Sequence, residues 1–80
     1  EEVELICDND VMDSIIDRFG EEVYTCPQDK NSFKAVVNIA ISNVFYSWIF
    51  GFAGKVKIAS PAHVKEKYAE MLREAVTSLD

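Results

Sequence analysis

Between Ser32 and Ile41 the chain alternates with a period of two. Phe33, Ala35, Val37, Ile39 and Ile41 fall on one face, and Lys34, Val36, Asn38 and Ala40 on the other. That pattern predicts a half-buried antiparallel strand. Val3 to Cys7 reads as a first strand. Asp8-Asn9-Asp10 then supplies a turn and a helix N-cap. Val11, Met12, Ile15, Ile16 and Phe19 recur at helical spacing, with Gly20 in the position of a C′ glycine. Glu22 to Cys26 reads as a short second strand, closed by Pro27 and a polar turn from Gln28 to Asn31.

Beyond Ile41 the period changes to that of a helix. Ser42 or Asn43 caps a second helix over about Val44 to Phe52. Lys55 to Ala59 is a fourth strand with Val56 and Ile58 inward. Ser60 as N-cap and Pro61 as first helical residue open a third helix reaching about Ser78. Its apolar stripe is Val64, Tyr68, Met71, Leu72, Ala75, Val76 and Leu79.

The order β-α-β-β-α-β-α predicts an α+β fold. Its first six elements match the ferredoxin-like split βαβ pattern, a four-stranded antiparallel sheet of order 4-1-3-2 plus a C-terminal helix. The added helix must cover an edge, an end or a partner. The second helix is apolar nearly all round. Phe45, Trp48, Ile49 and Phe52 share one side, while Tyr46 and Phe50 lie toward the other. A helix of that kind is buried on more than one side. The third helix and a partner surface are the two candidates for what Tyr46 and Phe50 touch.

Eighty residues make a single domain, 1–80. Charge changes the picture more than length does. Residues 1–29 hold ten acids against Arg18 alone, and residues 30–80 hold seven bases against four acids, for a net charge of −6. A net-acidic domain of this kind is a poor binder of duplex DNA, because phosphate contacts need clustered Lys and Arg. The chain opens on Glu1-Glu2-Val3 without an initiator methionine, so it is expected to be a C-terminal fragment of a longer protein. No hydrophobic run approaches 18 residues, so no membrane span is expected. A reducing, cytoplasmic setting suits two unpaired cysteines.

Candidate chemistry is sparse. Cys7 and Cys26 fall on strands that the expected order separates by a third. That is about 10 Å, beyond the roughly 7 Å Cα limit of a disulfide. Two cysteines are too few for an iron–sulfur cluster. The loop after the first strand, Asp8-Asn9-Asp10, repels anions. Asp10, Asp13 and Asp17 lie along one helix and read as solvated acids, and His63, the single histidine, reads as a surface residue. No catalytic, metal-binding or cofactor-binding residue is assigned, and no cofactor. The third strand offers Lys34, Val36 and Asn38 on its open face, with no aromatic platform for RNA bases.

Asp17-Arg18-Phe19-Gly20, then Ser42 with Phe45 and Trp48, then Phe50-Gly51-Phe52 and Val56 to Pro61 carry a family likeness. In order and spacing the chain resembles, from Val3 to about Ala75, the C-terminal extension of WYL-domain transcriptional regulators, the DeoR-like helix-turn-helix group. The resemblance implies a ferredoxin-like regulatory module that is not an enzyme. It implies dimer contacts, a WYL domain in the same chain as partner, and DNA contact only through an N-terminal helix-turn-helix that this sequence lacks. Family members often have Gly-Phe-Gly after the tryptophan, where this chain has Gly51-Phe52-Ala53-Gly54. An alanine is strained at a left-handed position, which makes Gly54 the candidate to take over that role.

The first functional expectation is therefore a regulatory and oligomerisation module, with Tyr46 and Phe50 as its candidate surface. The alternative is a small-molecule or nucleotide sensor, with its site on the open sheet face at Glu4, Ile6, Lys34, Val36, Asn38 and Lys57. Direct nucleic-acid contact through Lys34, Lys55 and Lys57 comes last, since three lysines on an acidic domain attract only weakly.

Overall fold

The structure is a computed structural model, and it describes residues 1–79. Seven elements follow one another: β1 (Glu2–Asp8), α1 (Met12–Phe19), β2 (Tyr24–Pro27), β3 (Ser32–Asn38), α2 (Asn43–Phe50), β4 (Val56–Ser60) and α3 (Ala62–Thr77). A 3-10 turn, Asn9–Val11, joins β1 to α1. The strands form one antiparallel sheet of order β2-β3-β1-β4, which is the expected 4-1-3-2 read from the other edge.

Period-two alternation decides which face is covered. Val3, Leu5 and Cys7 of β1, Phe33, Ala35 and Val37 of β3, and Val56 and Ile58 of β4 are all buried. They join one core with Val11, with Ile15 of α1, with Phe45, Tyr46 and Ile49 of α2, and with Val64 of α3. The intervening residues Glu4, Ile6, Lys34 and Val36 are half-buried on the other face. Register is fixed by this arrangement: Leu5 stands opposite both Ala35 and Ile58, and a slip of one residue would turn the core outward.

Several expected boundaries move, each for a local reason. β2 starts at Tyr24 rather than Glu22, because Val23 donates back to the Gly20 carbonyl in a turn. It continues through Pro27, which pairs with Phe33 on an edge strand where a missing donor is tolerated. β3 stops at Asn38, and Ile39 and Ile41 leave the ladder yet pack against the core. The acidic turn does not cap α1 through a side chain. Asn9 instead donates from Nδ2 to the Lys30 carbonyl and from its amide to the Asn31 carbonyl, tying α1's approach to the β2–β3 turn.

Ser42 is the expected cap of α2, its hydroxyl accepting from the Phe45 amide at 3.4 Å. The helix ends at Phe50, two residues before the expected Phe52. Ser60 does not cap α3. It ends β4 opposite Glu4, and Pro61 occupies the cap position, its carbonyl accepting from the amides of Val64 and Lys65.

Candidate functional site

The residues that carry the sequence likeness converge on one corner. Phe19 at the end of α1 meets Trp48 of α2 edge-on, with ring centroids 5.4 Å apart. Trp48 meets Phe52 in the same way at 4.9 Å. Arg18 lies over the Phe19 ring at 5.3 Å, a cation–π contact. Gly20 then leaves α1 with φ 92°, open to glycine and costly for other residues. This corner locks α1 to α2 and aims the turn after α2.

That turn carries the clearest departure from expectation. Ala53 has φ 54° and Gly54 has φ 91°, so both are left-handed in φ. Gly54 does not relieve Ala53; it follows it. Backbone bonds hold the alanine there, with Ala53 donating to the Phe50 carbonyl and Lys55 to the Phe52 carbonyl. Lys55 then ion-pairs with Asp10 at 2.6 Å, and that hydrogen bond holds its ammonium above the ordinary lysine range.

Tyr46 and Phe50 separate. Tyr46 is 4% exposed and stacks almost parallel on Tyr68 of α3, with centroids 5.7 Å apart. Its contact is with the third helix, one of the two candidates named for it, and it also lines the smaller of two depressions beside Phe50. The stack covers one side of a helix that is apolar all round. Phe50 is 64% exposed and remains a surface residue.

Phe50 stands between two apolar depressions. The larger, a groove of about 600 Å³, runs between β4 and α3. Its walls include Ile6, Val56 and Ile58 on the sheet side and Tyr68, Ala69 and Leu72 on the helix side. The smaller, about 220 Å³, lies between α2 and α3 and shares Phe50, Tyr68 and Leu72 with the first. β4 is an edge strand paired only with β1, so the groove follows an open edge of the sheet.

Beyond Leu72, α3 outruns the body. Only Val64 on this helix is fully buried, with Tyr68, Met71 and Leu72 half-buried. Val76 is 64% exposed and Leu79, in the turn after the helix, 85%. The helix was expected to cover an edge, an end or a partner, and the sheet gives its apolar stripe cover only over the first half. Exposed Phe50 lines both depressions, and exposed Val76 shares a shallow depression with Leu72, which also lines both; exposed apolar surface of this kind marks an interaction site. Nothing in the residue pattern alone separated the covered half of the stripe from the exposed half.

The open sheet face is chemically quieter. Lys34 pairs with Glu4 at 3.6 Å, cancelling its charge locally. Val36 is half-buried opposite Tyr24 on β2, Asn38 is exposed at the end of β3, and Lys57 is exposed on β4 beside the groove. Lys34 and Lys57 flank Ile6 across the sheet, and the ion pairs of Lys34 and Lys55 leave little net positive charge for a nucleic acid there.

Cys7 and Cys26 are free thiols. Burial, with help from the Asp8 charge, pushes the Cys7 thiol up to about 12, so it behaves as a small apolar side chain. His63 is exposed, with Nε2 2.6 Å from a Glu1 carboxylate oxygen. Among the described residues no group of three or more His, Cys, Asp or Glu could hold a metal ion, and no helix is long and apolar enough to cross a membrane.

Comparison with known families gives one finding: the model for the WCX domain matches residues 1–76. No curated protein and no solved structure matches.

Proposed function

The chain belongs to the WCX family, the C-terminal domain found in WYL-domain transcriptional regulators, and on that premise we propose that it is a non-catalytic packing and regulatory module. Its fold, read as ferredoxin-like, serves as a platform. Its work is contact with the WYL domain of the same chain or with a second subunit, in a cytoplasmic regulator that reaches DNA through another domain.

The observation that carries this reading is the apolar region around Phe50. A half-unpartnered helix, an exposed phenylalanine and an open sheet edge meet there. Each carries a cost in water that contact with protein removes. The residues of the site offer hydrophobic area and backbone edge, and none of the paired acids and bases that proton transfer requires.

The test uses the full regulator carrying this domain, with Phe50→Asp and Val76→Asp introduced together. Both residues are exposed, so the domain itself is expected to fold. The regulator is expected to lose dimer stability or its transcriptional response, and deletion of the whole domain is expected to have the same effect. If the double variant matches the wild type in light scattering and in operator binding, the surface has no such role.

A sensor function is the second reading. The groove's volume falls within the range of small-molecule sites. A melting-temperature screen of metabolites and nucleotides that moves nothing removes it.

A further inference from the structure

The groove between β4 and α3 is apolar along its whole length except for two lysines, Lys57 and Lys65. No acid lines it, on a chain whose net charge is −6. Lys34, Lys55 and Lys67 each find an acid, in Glu4, Asp10 and Glu70. Among the described residues Lys57 and Lys65 have none within ion-pair distance. Both are exposed, so two unmatched ammoniums stand at the rim of a hydrophobic trough.

The free edge of the sheet adds backbone donors. The Asp8 amide donates to the Lys55 carbonyl at 2.9 Å. Alternation along the antiparallel ladder then turns the backbone of Lys57 toward β1 and that of Val56 and Ile58 toward the open edge. Length is set by the same two elements. Val56 to Ala59 on the strand and Lys65 to Leu72 on the helix each span about 10 Å. α3 doubles back from Pro61, which places Lys65 near one end of the trough and Leu72, with Phe50, near the other.

We infer that this groove binds an amphipathic anion, an unbranched apolar chain ending in one carboxylate or phosphate head. The inference rests on the sensor reading and names its ligand class. The chain lies between Ile58 and Ala69 and points toward Phe50 and Leu72. The head takes the ammoniums of Lys57 and Lys65, whose long stems let both reach one point, and an outward edge amide. The same walls disfavour a nucleotide, whose sugar and base would set polar groups against Ile58, Ala69 and Leu72 without partners. A filled groove presents a continuous apolar surface beside Phe50, which ties ligand occupancy to the contact role of that region.

A nitrogen–proton NMR titration of the 80-residue chain tests it. Decanoate and decyl phosphate are the probes and decanol the neutral control, each below its critical micelle concentration. Saturable shifts are expected at the amides of Val56 and Ile58 and along residues 65–72. Decanol is expected to bind about tenfold more weakly, the size of two exposed charge pairs together. The tighter of the two anions assigns the head. Lys57→Gln and Lys65→Gln introduced together are expected to bring both anions to the level of decanol. Ala69→Phe fills the groove, keeps both lysines, and is expected to abolish binding of all three probes. Circular dichroism reports whether each variant is folded, and the two exposed lysine substitutions are expected to leave the fold intact.

Equal binding of decanol and the anions, or anion binding that ignores the lysine substitutions, overturns the charged head and leaves an apolar sensor site standing. No saturable shift in the groove with any probe overturns the ligand class. The sensor reading survives that result if another metabolite raises the melting temperature, and falls with it if none does.

Discussion

Ala53 sits where its side chain is a burden. Its φ of 54° places the Cβ against the following carbonyl, at a cost of about 1–2 kcal/mol that glycine avoids. Replacing it, Ala53→Gly, removes that strain but frees the unfolded chain, which returns about 0.4–1 kcal/mol. The balance is a gain of about 0.5–1 kcal/mol. For a domain of this size that corresponds to a rise of about 3–6 °C in melting temperature. The neighbouring glycine supplies the control. Gly54 has φ 91°, and a Cβ added there meets nothing within 4 Å. Gly54→Ala therefore adds about 1–2 kcal/mol of backbone strain, offset by about 0.4–1 kcal/mol from the stiffer unfolded chain, and a net loss of about 0.5–1 kcal/mol is expected. Differential scanning calorimetry on the three proteins reads both effects. If Ala53→Gly lowers the melting temperature, or Gly54→Ala leaves it unchanged, the left-handed turn between Phe52 and Lys55 is wrong.

Trp48→Ala removes both edge-on contacts, to Phe19 and to Phe52, and is expected to cost about 2–3 kcal/mol in urea unfolding, below the range of a fully buried tryptophan because Trp48 is half-exposed. Alkaline pH is expected to destabilise the domain. The folded Cys7 thiol titrates near 12, above its unfolded value near 9, so its contribution is complete below about pH 8.5 and is lost as pH rises toward 12. The slope between those values is up to about 1.4 kcal/mol per pH unit. Burial raises Tyr46 and Tyr68 as well, adding to the loss above about pH 10. Cys7→Ala is expected to flatten the slope between pH 9 and 10, and an unchanged slope would assign the effect elsewhere. In the native protein at neutral pH an aromatic disulfide reagent is expected to titrate Cys26 quickly and Cys7 only after denaturation.

The sheet was legible because β1, β3 and β4 alternate strictly, and a period of two leaves one register with a buried face. The strand order followed from right-handed crossovers applied to two strand-helix-strand units. The added third helix was legible as an element, but its function was not. Its apolar stripe runs the length of the helix, and only the length of the sheet decides which half of it finds a partner. Tyr46 and Phe50 show the same limit. Both were placed away from the sheet, and the stack on Tyr68 divides them, a contact between residues far apart in sequence. Caps failed where side chains had better partners: Asn9 reached the β2–β3 turn, and Ser60 stayed in the ladder opposite Glu4. The corner of Phe19, Trp48 and Phe52 was visible as motif residues without a reason for their company. The geometry supplies the reason, since these rings set the direction of the turn that opens the groove.

The claim on which the account rests is that the groove between β4 and α3 is a contact surface for protein. Amide hydrogen exchange over residues 69–79 addresses it directly, measured in this chain at low concentration and again in the full WYL-domain regulator. The unpartnered half of α3 is expected to exchange quickly in the dilute chain and markedly more slowly in the regulator. Equal exchange in the two, with the regulator folded and assembled, would contradict the account.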